Sequence, residues 1–187
     1  MSAADRVALV TGGSGGIGRG IAARLAAEGA TVAVAARRAE GCQETVRQIE
    51  AAGGRAEFTV LDVTGAEAVE GWVRDAAERL GRIDWLVNNA GMNGRSARLA
   101  LENADIPIRA NCVCPGPVDT PLMRSIEVLV NPDDPAAARE LFAQTTAVKR
   151  YGTVEEIADV VHFLLSDAAA YVTGTAVSVD GGVMTGV

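Results

Sequence analysis

The chain has 187 residues, of which 49% are hydrophobic, and a formal net charge of −7. That length suits one domain and that composition supplies a buried core, while the 21 glycines form no tract or strict period, which excludes disordered and collagen-like chains. The negative balance, with Arg37–Arg38 as the only basic cluster, argues against a nucleic-acid surface or an anionic membrane as partner.

No apolar run approaches the roughly 20 residues of a membrane span. The stretch Met1–Arg6 carries Asp5 and lacks the pattern of a signal peptide, so cytoplasmic residence is expected. Cys42, Cys112 and Cys114 are an odd set without framework spacing and read as free thiols. Cys112 and Cys114 fall on one face of a strand as small apolar side chains, far in sequence from the single histidine, His162, so no metal site is expected.

Val7–Val10 reads as a short buried parallel strand ended by glycines. Ile17, Ile21 and Leu25 then mark one face of a helix that should stop at Gly29. Thr31–Ala35 is a second strand, Val46 and Ile49 mark the inner face of a second helix, and Ala56–Leu61 is a third strand. Thr64-x-x-Glu67 reads as a capping box opening a helix with Val69, Trp72, Val73, Ala76 and Leu80 inward. Ile83–Val87 is a fourth strand, so the pattern is β-α-β-α-β-α-β, a parallel sheet with helices on both faces.

Beyond Asn88-Asn89-Ala90-Gly91 the rhythm changes. A short helix at about Arg95–Ala104 precedes a strand at Ile108–Cys114 and a turn at Pro115–Pro117. A polar segment around Asn131–Pro135 leads to a helix at roughly Ala136–Gln144. Thr153-x-x-Glu156 is a second capping box, opening a helix with Ile157, Val160, Val161 and Leu164 inward, and Ala176–Val179 is the last strand. No linker divides the chain, which reads as a single dinucleotide-binding domain, 1–187.

The segment Thr11-Gly12-Gly13-Ser14-Gly15-Gly16-Ile17-Gly18 lies between the first strand and the first helix. Glycine there permits a tight turn and close backbone approach, and the helix directs free N–H groups and its positive dipole end at a ligand. A pyrophosphate meets both requirements, and placement inside a βαβ unit makes the motif specific.

Five motifs occur in order: Thr11-Gly12 with Gly16 and Gly18, Leu61-Asp62-Val63, Asn88-Asn89-Ala90-Gly91, Pro115-Gly116 with Thr120, and Tyr171-Val172-Thr173-Gly174 with Val179-Asp180-Gly181-Gly182. Together they resemble the classical short-chain dehydrogenases/reductases over the whole length. The resemblance implies a Rossmann-type doubly wound α/β/α fold, here with six strands instead of seven. It makes Thr11, Gly12, Ser14, Gly16, Ile17 and Gly18 the cofactor turn and sets Asp62 and Val63 against adenine. Asn89 and Gly91 would line the adenosine ribose and sheet edge, with Ala90 between them also a cofactor-binding position. Pro115, Gly116, Val118 and Thr120 would lie beside the nicotinamide.

An acidic residue ending the second strand would hold the ribose 2′-OH and repel a 2′-phosphate. This chain has Ala36, Arg37 and Arg38 there, and an Arg can fork onto a phosphate, so NADP(H) is expected over NAD(H).

The family's hydride transfer between nicotinamide and a carbonyl or alcohol carbon uses a Tyr as general acid/base, a Lys four residues later, and a Ser on the preceding strand. No Tyr-x-x-x-Lys exists here: the one lysine, Lys149, follows Thr145 by four, while Tyr151 and Tyr171 are followed at that distance by Glu155 and Thr175. No catalytic residue is therefore assigned. Leu99-Ala100-Leu101-Glu102 resembles the end of the helix that carries the Tyr and Lys, so an internal deletion near 92–98 is expected to have removed about two supersecondary units of about 30 residues each. The strand Ile108–Cys114 is then expected to take the lost strand's place beside Ile83–Val87 in one six-stranded sheet.

Three readings stay open: an NADP(H)-binding family member that is inactive or nearly so, an active carbonyl/alcohol oxidoreductase of which this sequence is an incomplete record, and a non-enzymatic dinucleotide sensor or interaction protein. A small-molecule carbonyl or alcohol is a partner only if the chain is active, and a homo-oligomer is left open.

Overall fold

The computed structural model describes residues 5–90 and 108–183. The expected helix at 95–104, Gly91 and the proposed deletion point lie outside the described residues. The chain divides into two compact units, Met1–Met92 and Asn93–Val187.

The first unit runs β1 (Val7–Thr11), α1 (Gly16–Ala27), β2 (Thr31–Ala36), α2 (Ala39–Ala51), β3 (Arg55–Val60), α3 (Ala66–Leu80) and β4 (Trp85–Asn88). Its strands form a parallel sheet in the order β3-β2-β1-β4, the start of the doubly wound order. Every residue of β1 is buried, because it lies centrally and both of its faces are covered. On one face Val7, Leu9, Ala33 and Ala35 pack with Leu61, Trp72 and Ala76, flanked by Val69, Val73, Leu80 and Ile83. The alternate residues Ala8, Val10, Val32 and Val34 are buried on the other face, where α1 and α2 contribute Ile21, Leu25, Cys42 and Ile49. Each such fully buried Leu, Ile or Val contributes roughly 1.5–3 kcal/mol.

Two sequence expectations for this unit are corrected. The buried face of α2 carries Cys42, Thr45 and Ile49, while Val46 is only half-buried. Thr64 does not cap α3, whose N-cap is Gly65. The Thr64 hydroxyl and N–H both donate to Asp62 Oδ1, at 2.9 and 3.0 Å. This local turn competes with capping for the same side chain.

The second unit comprises β5 (Cys112–Pro115), α4 (Pro121–Val130), α5 (Pro135–Gln144), α6 (Val154–Leu165) and β6 (Ala176–Val179). The ladder partner of β5 is β6, in parallel register from Cys112 opposite Ala176 to Pro115 opposite Val179. This corrects the expected pairing of the 108–114 strand with the fourth strand: the six described strands lie in two sheets. The reason is local. Ala110 N–H donates to Thr173 Oγ1 at 3.1 Å, Gly174 N–H donates to Ala110 O at 2.8 Å, and Asn111 Nδ2 donates to Val172 O at 2.9 Å. These bonds take the polar groups of 110–111 toward the approach to β6, and the strand begins only at Cys112.

Helix α4 lies in a stretch left without an element by the sequence reading. Its signal was present: Thr120 accepts the Met123 N–H at 3.2 Å, and Pro121 occupies the first turn. The Thr153–Glu156 capping box forms with both arms in place. Glu156 also bonds Arg150, and that guanidinium, with the Thr153 N–H, holds its carboxyl down at about 2 against an ordinary 4.5. The folded pKa is depressed, so the stabilisation is fully present above about 4.5 and is lost as pH falls through about 2. A Glu156→Gln variant is expected to melt below the parent at pH 6, with the gap closing by pH 2. Thermal denaturation across that range checks it, and a gap independent of pH would contradict it.

Candidate cofactor site

In the first unit the glycine turn joins the C-terminal end of β1 to α1, at the edge where open α/β sheets bind ligands. Thr11 is buried, and its Oγ1 accepts the N–H groups of Asn89 and Ala90, each at 3.1 Å. Asn89 Nδ2 donates to the carbonyls of Thr11 and Gly12, each at 3.2 Å. The loop after β4 is thus stitched to the glycine turn, and the Asn89 amide serves that joint. Helix α1 has no side-chain cap, so Gly16, Ile17 and Gly18 enter the helix with their first-turn N–H groups not taken by a capping side chain. A helix start of this kind suits an anion.

Beside the turn lies a cavity of about 490 Å³ lined by Ser14, Arg19, Arg38, Ala39, Glu40 and Gly41. Arg37 and Arg38 are both exposed at the end of β2, and Arg38 is the one that lines the cavity. Asp62 and Val63 are exposed just past β3. The Thr64 hydrogen bonds hold the Asp62 carboxyl below the usual carboxylate range, with the Arg37 charge adding to the effect.

The sequence reading missed Arg19, Gly41 and Thr45. Arg19 Nη2 donates to Ser14 O at 2.9 Å and Gly41 O at 3.2 Å, and Arg19 Nε donates to Thr45 Oγ1 at 2.9 Å. The spacing of Gly41, Thr45 and Ile49 at i, i+4 and i+8 was the available signal.

In the second unit Pro115 closes β5, and Gly116 N–H donates to Val179 O at 3.2 Å. Val118 is buried and pairs with Gly152, and the Thr120 hydroxyl caps α4. Asp119 accepts from Arg139 and Arg124, whose hydrogen bonds lower its pKa. Tyr151 is buried beneath the Arg139 guanidinium, 4.3 Å from the ring centroid. Burial first, and the neighbouring Glu127 second, push its phenol upward, away from the range where a phenol trades protons near neutral pH. Tyr171 is fully exposed, and Lys149 Nζ donates to Gln144 O at 2.7 Å. Cys112 and Cys114 lie on one face of β5 with sulfurs 3.9 Å apart. Among the described residues no group of three or more His, Cys, Asp or Glu could hold a metal.

Residues 6–106 match the family described as short chain dehydrogenase, and residues 94–184 match the one described as Enoyl-(Acyl carrier protein) reductase. Levodione reductase of Leifsonia aquatica is 31% identical over 250 aligned positions, covering 95% of this chain and 94% of the relative. The crystal structure of levodione reductase superposes with a TM-score of 0.92 at 30% identity, covering 98% of this chain and 99% of that one. An actinorhodin polyketide ketoreductase structure with NADPH gives 0.88 at 27% identity, covering 95% and 97%. L-sorbose reductase from Gluconobacter frateurii, complexed with NADPH and L-sorbose, gives 0.91 at 25%, covering all of both chains. With a family match over more than half its length and a full-length relative above 30% identity, this chain belongs to the short-chain dehydrogenases/reductases, an oxidoreductase family with a Rossmann-like α/β fold.

Proposed function

We propose that the chain binds NADP(H) through its first unit and is inactive, or nearly so, in carbonyl/alcohol hydride transfer. The observation that carries this is the absence of any Tyr-x-x-x-Lys from a sequence that keeps the glycine turn. Neither tyrosine substitutes for the missing one: Tyr151 is buried with its phenol pushed up, and Tyr171 is an exposed side chain on the opposite side of the last helix in sequence from Lys149. The cofactor positions in this reading are Thr11, Gly12, Ser14, Gly16, Ile17, Gly18, Arg37, Arg38, Asp62, Val63, Asn89, Ala90 and Gly91 of the first unit; Pro115, Gly116, Val118 and Thr120, in the second unit, are kept as the nicotinamide positions that the family resemblance implies. Preference for the 2′-phosphate is supported by Arg38 in the wall of the cavity and by the NADPH named with two relatives' structures.

An internal deletion accounts for the missing pair. The levodione reductase alignment runs over 250 positions against a chain of 187 residues, so it contains gaps opposite this chain. The same gaps favour a second reading, an active oxidoreductase recorded incompletely. Intact mass separates the two, since a value well above 19.2 kDa means that chain is missing.

The test of the first reading combines NADPH and NADH titration by calorimetry with NADPH oxidation over a panel of ketones. Binding of NADPH ahead of NADH without turnover is expected. Turnover at an ordinary enzymatic rate by protein of the stated mass would overturn inactivity, and equal affinities would overturn the cofactor preference.

A further inference from the structure

We infer that Arg19 and Thr45 form a brace that sets the preference for a 2′-phosphorylated dinucleotide by holding Arg38 at a fixed position relative to the glycine turn. The inference rests on the NADP(H) reading and adds to it two positioning residues that make the selectivity possible.

The cavity has two walls. Ser14 belongs to the glycine turn, and Arg38, Ala39, Glu40 and Gly41 belong to the start of α2. Arg19, in the first turn of α1, reaches both walls with one guanidinium, through Ser14 O and Gly41 O. Its Nε ends on the hydroxyl of Thr45, which is 1% exposed. That hydroxyl in turn lies 2.7 Å from Gly13 O and 3.0 Å from Gly41 O. The buried hydroxyl and the fork therefore tie the first turns of α2, at Gly41 and Thr45, to two consecutive residues of the glycine turn, Gly13 and Ser14.

The approach is as close as backbone allows. A Cβ at position 41 would fall inside 3.0 Å of both Ser14 O and Ser14 Cβ. Arg38 is the N-cap of α2, and its carbonyl accepts the Cys42 N–H at 3.2 Å. Its backbone thus moves with the helix start. Releasing the brace lets α2 shift against the turn and carries Arg38 away from where a 2′-phosphate would sit. The brace also touches the glycine turn, at Gly13 O and Ser14 O, but that turn has supports of its own in the Asn89 bonds to the carbonyls of Thr11 and Gly12. The larger effect therefore falls on the 2′-phosphate, and the contacts that NADPH and NADH share change less. Glu40, in the same wall, is the charge that a displaced phosphate would meet.

The experiment measures NADPH and NADH dissociation constants, with thermal melts, for the full chain and for Thr45→Val, Thr45→Ser, Arg19→Met and Arg19→Lys. Thr45→Val keeps shape and removes the hydroxyl, while Thr45→Ser restores it. Arg19→Lys keeps the charge and removes the fork, so it separates position from charge. Thr45→Val, Arg19→Met and Arg19→Lys are expected to weaken NADPH about tenfold, as for a misplaced binding group, with NADH changed less than about twofold. Thr45→Ser is expected to keep the parental ratio. Equal weakening of both cofactors, or an unchanged ratio in the three variants, would overturn the brace while leaving the NADP(H) reading intact. A parent chain that binds neither cofactor, or both alike, would overturn that reading and the inference with it.

Discussion

Replacing Gly18 by Val is expected to weaken NADPH binding about 100-fold, because the group that holds the pyrophosphate would be moved rather than removed. A Cβ at this position would lie inside 3.0 Å of the Gly12 carbonyl oxygen and of Asn89 Nδ2. Neither neighbour can yield freely. The carbonyl is backbone at the end of β1, and the Asn89 amide is held by its bonds to Thr11 O and Gly12 O. Something in the turn must therefore shift, at a cost of about 1–3 kcal/mol typical of overpacking. Gly15→Ala is the control, since nothing lies within 4 Å of a Cβ there and its φ of 169° is ordinary extended backbone. Its stability is expected to stay within about 0.5 kcal/mol of the parent. Calorimetric titration and thermal melts of both variants check the pair. Parental NADPH affinity in Gly18→Val would show that the turn does not hold the ligand.

Arg109→Met is expected to destabilise the second unit by about 2–4 kcal/mol, since charge-assisted hydrogen bonds to the carbonyls at the end of α6 are lost. Arg109 Nη1 donates to Leu164 O at 2.6 Å and to Val172 O at 3.2 Å. Its Nη2 donates to Leu165 O at 3.0 Å and Ser166 O at 3.1 Å. The carbonyls of Leu164 and Leu165 end α6, where a helix leaves its acceptors open and its dipole favours a cation. One guanidinium thus closes the helix and ties it to the segment before β6. Lysine offers a point charge instead of a fork, so Arg109→Lys is expected to recover only part of the loss. Urea unfolding of the parent and both variants measures this. Parental stability in Arg109→Met would mean that water serves those carbonyls equally well.

These residues also mark how far the sequence could be read. The alternation of elements from β1 to β4 is legible because each strand is a short apolar run and each helix carries one apolar stripe. Trp72, Val73 and Ala76 are placed on the correct face of α3 by spacing alone. The Thr153–Glu156 box forms as read, since both of its partners lie within one turn. The Thr64–Glu67 box, with the same spelling, does not form, because Asp62 stands two residues away and binds the threonine first. Helix α4 shows the opposite case: its Thr120–Pro121 start is a legible signal, yet its exposed Leu122 and Leu129 blur the stripe by which a helix is recognised.

The sequence by itself determined the family, the glycine turn between β1 and α1, the arginines after β2 and the lack of a tyrosine–lysine pair, because each is a matter of residue identity at short spacing. Only the tertiary structure decided which arginine lines the cavity, that Arg19 and Thr45 join the turn to α2, and that β5 pairs with β6. Those outcomes depend on donors and acceptors far apart in sequence finding one another. Arg19 meets Gly41 across 22 residues and Arg109 meets Leu164 across 55, distances at which no local periodicity carries information.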